Sequence, residues 1–217
     1  MPQMPASDPG KDPTLRFELS CFDAGAALVI GVDEVGRGAI AGPVAVGVHA
    51  VLRGTAGFPD GLRDSKLLSE KRREALAPLV VEWGVGAVGF AQPHEIDERG
   101  ISWALGEAGR RALLELHEAG VAVGDAVILV DGKHDWLSPA LRRPLRVQTR
   151  VGADRSCASV AAASVRAKVL RDALMREAHE TEPHYAWVSN KGYGAKAHYE
   201  GIALHGLSAL HRKTWIK

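Results

Sequence analysis

Short apolar runs alternate along this chain with longer segments of helical patterning. Four apolar runs and one short alternating segment predict five strands, over residues 27–33, 42–52, 84–91, 126–130 and 145–149. Three longer segments have the spacing of helices, over residues 69–82, 101–119 and 158–179. Ser69 can cap the first of these helices, and Gly120 ends the second.

The order of these elements predicts an α/β fold, with a central sheet flanked by helices. The first two strands are close enough in sequence to form a hairpin, which favours a mixed sheet over a parallel one. Residues 1–26 are polar and weakly patterned, so we expect a flexible lead-in there. Residues 27–217 then form one domain, with an α/β core to about residue 180 and a small helical C-terminal part.

The composition excludes some classes of protein. The chain has 217 residues, of which 46% are hydrophobic, as in a globular domain with a sizeable core. No apolar run reaches the ~18–20 residues that a membrane span needs, and the first residues lack the pattern of a signal peptide. Two cysteines are too few for a disulfide framework. We therefore expect a cytoplasmic monomer with no membrane partner.

The net charge of +1 hides an asymmetry along the chain. Residues 155–217 hold 10 Lys and Arg against 5 Asp and Glu, whereas residues 1–154 hold 17 against 21. A basic C-terminal part beside an acidic cluster suits a polyanionic substrate. A solvated helical face explains the same balance equally well, so the charge alone does not decide.

Four carboxylates occupy positions where a ligand site is expected. Asp33 and Asp131 each end an apolar strand, and ligand sites of open α/β sheets gather at such strand ends. Asp154 lies just before the long helix, near its positive end. Glu34 alternates to the other face from Asp33, so it joins the cluster only if the strand ends or bulges there.

The acids and the turn that follows them indicate metal-assisted chemistry on a phosphate. Crowded carboxylates repel one another without cations, and their oxygens suit Mg²⁺. Two divalent ions roughly 3.5–4 Å apart would serve an in-line displacement. The glycines of the Gly36, Arg37, Gly38 turn let a phosphodiester approach the backbone, and the arginine can bind a phosphate oxygen. An isolated Asp-Glu pair, however, is more often a solvated turn.

One short motif is typical of a different class of protein. Residues 84–89, GVGAVG, match the glycine pattern of dinucleotide-binding oxidoreductases. That fingerprint requires a strand before the glycines and a helix that opens at them. Here a predicted helix precedes the glycines, so we place them inside the third strand.

Five motifs in one order resemble the bacterial ribonuclease HII family, the type 2 ribonucleases H. The resemblance covers about residues 29–214. The motifs are GVDEVGRG from residue 31, LRDSKLLS from 62, VDG from 130, SVAAASVRAKVLRD from 159 and KGYG from 191, followed by His198, His211 and Arg212. Each motif alone is weak, but five in sequence order are specific.

The resemblance implies a ribonuclease H-like fold and a reaction that depends on Mg²⁺ or Mn²⁺, with two ions in the catalytic complex. The implied substrates are RNA/DNA hybrids and single ribonucleotides embedded in duplex DNA, as in ribonucleotide excision repair. The matched metal-binding and catalytic acids are Asp33, Glu34, Asp131 and Asp154. The matched substrate contacts are Gly36, Arg37, Gly38 and Tyr193, with Ser65, Lys66, Ser164 and Lys168 at substrate-side or supporting positions.

The resemblance gives each substrate contact a task. The Gly36, Arg37, Gly38 turn matches the segment that touches the 2′-OH and the phosphate at the RNA–DNA junction. Tyr193 matches the residue that packs on the next deoxyribose. Two positions depart from the family pattern: Gly152 replaces a frequent lysine near Asp154, and Asn190 replaces a common histidine.

Two other functions stay open from the residues alone. One is a different two-metal nuclease or recombinase on the same fold, such as a resolvase. The other is a nucleic-acid-binding module without catalysis. The acids argue against the second function, because carboxylates repel phosphate unless metal ions intervene.

Overall fold

Five strands form a single mixed sheet in this computed structural model, which describes residues 12–216. The strands are β1 (Leu28–Val35), β2 (Val44–Leu52), β3 (Gly86–Ala91), β4 (Val127–Asp131) and β5 (Arg146–Arg150). Their order in the sheet is β3-β2-β1-β4-β5. Strand β1 pairs antiparallel with β2 and parallel with β4, which confirms the mixed sheet.

Helices cover both faces of this sheet, as the α/β prediction requires. They are α1 (Arg16–Asp23), α2 (Glu70–Trp83), α3 (Pro93–Arg99), α4 (Ile101–Glu118), α5 (Ala153–Ser156), α6 (Ala158–Thr181), α7 (Trp187–Asn190) and α8 (Lys196–His205). Alternate residues of β1 serve the two faces, because side chains of a strand alternate. Ile30 packs in the core beneath α4, and Val29 packs in the core shared with α1 and α6.

Helix α6 lies unusually close to the sheet because two glycines face it. A Cβ at Gly31 would lie 2.2 Å from the carbonyl carbon of Ser159. A Cβ at Gly47 would lie 2.2 Å from the carbonyl oxygen of Ala163. Ordinary contacts between carbon atoms are about 3.5–4.0 Å, so any side chain at these two positions would push the helix outward.

The glycine-rich segment that matches the dinucleotide motif belongs to the sheet. Gly86 and Gly89 lie in β3, and helix α2 precedes that strand. A Cβ at Gly89 would lie 2.0 Å from the carbonyl oxygen of Ala108 in α4. These glycines therefore permit close packing of a helix, as the sequence predicts, and open no phosphate-binding helix.

The N-terminal segment differs from the flexible lead-in that the sequence predicts over residues 1–26. Residues 1–11 lie outside the described part, but α1 packs against the sheet through Phe17 and Phe22, both 5% exposed. The buried carboxylate of Glu18 accepts hydrogen bonds from the amide and the hydroxyl of Ser159, at 2.9 and 2.7 Å. An acid at this point satisfies the open N-terminal end of α6. Sequence patterning missed α1 because it is only 8 residues long.

The predicted helices and the C-terminal part match the structure with small shifts of boundary. Ser69 caps α2 by accepting a hydrogen bond from the amide of Arg72, as predicted. Strand β1 continues two residues beyond its predicted end, because β2 still pairs with it as far as Val35. The C-terminal part is helical, as expected, and Trp187 anchors it in a small core with Ala41 and Met175. No helix among residues 12–216 is long and apolar enough to cross a membrane.

Candidate active site

Asp33 lies near the end of β1 on the face that α6 covers. It is 1% exposed, its Oδ1 accepts a hydrogen bond from the amide of Glu34 at 2.9 Å, and its Oδ2 has no partner. Burial raises the pKa of Asp33 well above its usual range. The Ser164 hydroxyl opposes this shift, and the charges of Glu34 and Asp131 add to it. An ionised Asp33 is therefore costly in the protein without a cation.

Asp131 ends β4, the strand parallel to β1. The last pair that β1 and β4 form is Val32 with Val130, so both aspartates follow at the same edge of the sheet. Oδ1 of Asp131 accepts a hydrogen bond from the amide of Ala153 at 2.7 Å. This contact fixes the start of α5 against the strand end. The two neighbouring strands thus bring the aspartates together as the sequence predicts.

Asp154 lies in α5, which begins after Gly152 in a left-handed conformation, φ +71°. Burial raises the pKa of Asp154 to about 6, and the charges of Asp131 and Asp64 contribute. The ammonium of Lys66 lies 3.5 Å from Oδ2 of Asp154. Lys66 therefore places a positive charge beside Asp154, although Gly152 provides none next to it in the sequence.

Lys66 lies among the acids of the cluster. Its burial would lower the pKa of the ammonium, but four negative charges outweigh this and raise the pKa above its usual value. The four contributing carboxylates belong to Asp33, Asp64, Asp154 and Asp131. The side chain is 62% exposed, so the ammonium can move as a substrate or cation arrives.

The side chains of Glu34 and Asp33 lie on opposite faces of β1. Strand β1 neither ends nor bulges at Glu34, which pairs with Val46, so its side chain points to the opposite face. Arg37 lies 3.4 Å away and forms an ion pair with it. Burial raises the pKa of Glu34, Arg37 opposes the shift, and the charge of Asp131 adds to it. Glu34 thus reaches the cluster electrostatically, from the other side of the strand.

Asp64 is a fifth carboxylate that sequence reasoning missed. It is 1% exposed, and its Oδ1 accepts a hydrogen bond from the amide of Lys66 at 3.0 Å. Its Oδ2 accepts no hydrogen bond but lies 3.8 Å from Nε of Arg155 in an ion pair. It caps the 3₁₀ turn that carries Ser65 and Lys66. The signal was present in the sequence, because Asp64 opens the same Asp-Ser-Lys motif that supplied those two residues.

The donor set fits a hard divalent cation, although the side chains do not converge on one point. Among residues 12–216, no three Asp, Glu, His or Cys lie close enough together to hold an ion. The nearby ligands nevertheless are carboxylate oxygens, which Mg²⁺ and Mn²⁺ prefer. The buried Oδ2 of Asp33 accepts no hydrogen bond among the described residues, which indicates that a positive group belongs there.

The remaining predicted contacts fall into two groups. The hydroxyls of Ser65 and Ser164 share a hydrogen bond of 2.8 Å, and Ser164 also affects Asp33, so both support the acids from below. Lys168 is directed elsewhere, because its ammonium donates to Asp172 at 2.6 Å. Arg73 lies 3.6 Å from the same carboxylate, so Lys168 belongs to a buried ion-pair group within the helix layer.

Tyr193 approaches the Gly36, Arg37, Gly38 turn although it follows it far along the chain. The carbonyl of Gly192 accepts hydrogen bonds from the amides of Ile40 and Ala41, at 2.9 and 3.0 Å. Tyr193 is 39% exposed, so part of the residue is accessible to a partner from outside. The C-terminal part therefore folds back onto the turn, as Tyr193 would require in order to act there.

Comparisons with known proteins place these residues in context. The family described as Ribonuclease HII matches residues 30–217. Ribonuclease HII of Streptomyces avermitilis is 44% identical over 209 residues, which is 95% of this chain and 85% of the relative. The structure of the PCNA:RNase HII complex from Archaeoglobus fulgidus has a TM-score of 0.67 at 27% identity, and covers 88% of this chain and 96% of that one. The structure of Bst-RNase HIII in complex with Mn²⁺ has a TM-score of 0.69 at 24% identity, and covers 89% and 68%.

The raised pKa of Asp154 predicts a pH-dependent stability of the metal-free protein. The folded chain holds this proton up to about pH 6, whereas an unfolded aspartate loses it near pH 3.9. The unfolded state therefore binds fewer protons between about pH 4 and pH 6, and the free energy of unfolding falls as the pH rises. We expect Asp154→Asn to reduce this fall and to be more stable than the parent at pH 7.

Urea unfolding in EDTA at several pH values measures this effect. Asp125→Asn is a matched control, because Asp125 is exposed and precedes β4 at the end opposite to Asp131. Superimposable pH profiles for the parent and Asp154→Asn would contradict the prediction.

Proposed function

We propose a specific reaction for this chain, which belongs to the ribonuclease HII family and is a ribonuclease H. The enzyme hydrolyses the RNA strand of RNA/DNA hybrids and cuts on the 5′ side of a ribonucleotide embedded in duplex DNA. The products carry a 3′-hydroxyl and a 5′-phosphate. Such a cut would begin the removal of ribonucleotides from DNA.

One juxtaposition supports this proposal more than any other. The acidic edge formed by Asp33 and Asp131 lies beside the Gly36 to Gly38 turn, of which Arg37 and Gly38 are exposed, and the ion pair of Glu34 with Arg37 connects the two. The acids suit a cleavage site, and the turn offers backbone groups and a guanidinium to a sugar and its phosphate. Only RNA carries the 2′-OH, so a site that distinguishes RNA from DNA must touch that group.

The acids would hold the cations of the reaction. We propose that two divalent ions, Mg²⁺ or Mn²⁺, bind at this edge to Asp33, Asp131 and Asp154, and that Glu34 reaches them from the opposite face of β1 around the edge of the sheet. When bound, such ions lower the pKa of a water molecule and stabilise the leaving oxygen of the phosphodiester. The unpartnered, buried oxygen of Asp33 supports this assignment, as does the Mn²⁺ bound by Bst-RNase HIII.

The other residues would bind and orient the nucleic acid. Arg37 binds a phosphate oxygen, and the amides of the turn meet the 2′-OH. Lys66 approaches the phosphate that the acids would otherwise repel. Ser65 and Ser164 keep the loop and the helix in place beneath Asp33, and Lys168 supports the helix through Asp172. The expectations of a monomer and of a cytoplasmic location stay predictions.

Mapping the product ends tests the reaction directly. A duplex with one ribonucleotide is incubated with Mg²⁺ or Mn²⁺, and both ends of the cut are identified. We expect a cut on the 5′ side of the ribonucleotide, with a 3′-hydroxyl and a 5′-phosphate, because water and not the 2′-OH attacks. A 2′,3′-cyclic phosphate would contradict this mechanism, and cleavage of an all-DNA junction would favour a resolvase.

Replacing single acids tests the catalytic assignment. We expect Asp33→Asn and Asp131→Asn each to lower turnover far more than tenfold while the fold survives, since an amide keeps the shape but loses the charge. One tenfold step corresponds to only ~1.4 kcal/mol, so a variant that retains more than about a tenth of the activity rejects its residue as a ligand. Asp125→Asn, at the opposite end of β4, should keep full activity.

The Tyr193 ring provides a test of junction selectivity. We expect Tyr193→Ala to slow the cut at a single embedded ribonucleotide more than the cut of a long RNA/DNA hybrid, because packing on the following deoxyribose matters only at a junction. Tyr193→Phe should retain much of the activity. Both rates and the melting temperature are measured on one preparation. Equal losses on the two substrates with a lowered melting temperature would leave Tyr193 a purely structural role.

A further inference from the structure

Two buried arginines lie side by side beneath the Gly36 to Gly38 turn. Arg171 comes from α6 and Arg212 from the segment after α8, and both side chains are 0% exposed. Burial lowers the pKa of Arg212 to about 9, and the positive charge of Arg171 contributes to the shift. Burial lowers the pKa of Arg171 as well. An arginine side chain keeps its charge in proteins, so two like charges are buried side by side.

Arg212 holds the turn from below through its carbonyl groups. Its Nη1 donates to the carbonyl of Arg37 at 2.9 Å, and its Nη2 donates to that of Gly36 at 2.7 Å. Its Nε and Nη2 both donate to the carbonyl of Gly42 at 3.1 Å. One guanidinium thus fixes both ends of the loop, which a lysine with its single ammonium cannot do.

Arg171 connects the same loop to the segment that carries Tyr193. Its Nε donates to the carbonyl of Pro43 at 2.8 Å, and its Nη1 donates to that of Lys191 at 2.9 Å. The guanidinium carbon lies 5.6 Å from the centre of the Tyr193 ring, within the range of a cation–π contact. Gly36 needs to be glycine here, because a Cβ would lie 2.0 Å from Nε of Arg171.

Carbonyl groups, and not carboxylates, contact these two charges directly. Within residues 12–216, neither arginine forms an ion pair, and backbone carbonyls accept all seven of their hydrogen bonds. The charge of Asp172 acts on Arg171, and that of Asp97 on Arg212, without direct contact. Burying a charge is costly unless it is paired, so two cations side by side without an ion pair are a poor way to stabilise a core. An anion outside the loop would provide further compensation.

The loop presents its free backbone N–H groups to solvent. Its carbonyls are turned inward to the guanidiniums, and Arg37 and Gly38 are exposed. Among the described residues, the amides of Arg37 and Gly38 make no hydrogen bond. Two free N–H groups above two buried positive charges form an arrangement that suits a phosphodiester oxygen.

We propose that Arg171 and Arg212 are positioning residues that fix the distance between the Gly36 to Gly38 turn and Tyr193, and that their charges attract the substrate phosphate bound between them. The inference rests on the proposed function, because it assumes that the turn and Tyr193 read one RNA–DNA junction. The two arginines touch no substrate themselves.

The experiment compares three identical substitutions. Arg212→Lys and Arg171→Lys keep a positive charge but lose the fork that holds several carbonyls. Arg166→Lys is the control, since Arg166 also donates to carbonyls, those of Val80 and Gly84, but lies about 1.4 turns earlier in α6 and contacts α2 and the residue after it instead of the loop. For each variant kcat/KM is measured on a duplex with one ribonucleotide and on a long RNA/DNA hybrid. The melting temperature and duplex binding in EDTA are measured on the same preparation.

We expect Arg212→Lys and Arg171→Lys to lower kcat/KM on the duplex with one ribonucleotide, relative to kcat/KM on the long hybrid, at least about tenfold. A misplacement of about 1 Å can cost a hundredfold in rate. They should also weaken binding of the ribonucleotide-containing duplex. Arg166→Lys should lower the melting temperature without changing the ratio. Arg212→Met, which also removes the charge, should weaken binding further than Arg212→Lys.

Two outcomes would overturn the inference. In the first, the ratio and the binding are unchanged in both lysine variants, whatever their stability. In the second, both variants fail to fold while Arg166→Lys folds, so that the arginines serve the fold itself. A parent enzyme that does not cut at the embedded ribonucleotide instead contradicts the proposed function. Duplex binding in EDTA, compared between the parent and the two lysine variants, then tests the role of the arginines independently of cleavage.

Discussion

The close approach of α6 to the sheet is the constraint on which the site depends. Gly31 and Gly47 leave no room between strand and helix backbones, and one added methyl group at either position would displace α6 by at least about 1 Å. The same helix provides Ser164 beneath Asp33 and Arg171 beneath the neighbouring turn. Two glycines far from solvent therefore control the geometry of groups that face the substrate.

Charge at this edge of the sheet is only partly neutralised, by Lys66 beside Asp154 and Arg37 beside Glu34. Acids collect around Asp33 and Asp131, and burial and mutual repulsion raise the pKa values of Asp33 and Asp154. The buried cations Arg171 and Arg212 lie beneath the adjacent loop and pair with carbonyls instead of these acids. Both arrangements cost stability in the empty protein, and such costs are typical of functional sites. Divalent cations at the acids and a polyanion above the two arginines would relieve both costs together.

The sequence predicted those parts of the fold that local patterning determines. Apolar runs located all five strands, and the ends of β1 and β4 brought Asp33 and Asp131 to one edge. The sequence placed Glu34 in the acidic cluster only if β1 ended or bulged there. The pairing of β1 with β2 continues past Glu34, so its side chain lies on the other face. The roles of Glu18 and Arg212 depend on partners distant in sequence, and no periodicity reports such contacts. An isolated buried charge carries no signal until its environment is known.

The contact between Glu18 and Ser159 also bears on how the chain folds during its synthesis. The two residues are separated by 141 positions, so α1 leaves the ribosome long before its partner exists. At about 5–20 residues per second, this interval is on the order of 10–30 s, in which the carboxylate of Glu18 lacks the donors of Ser159. Phe17 and Phe22 can meet Val29 and Val51 of the β1–β2 hairpin much earlier. The first helix to be made therefore packs early through its apolar face, and its buried acid finds its donors only when α6 arrives.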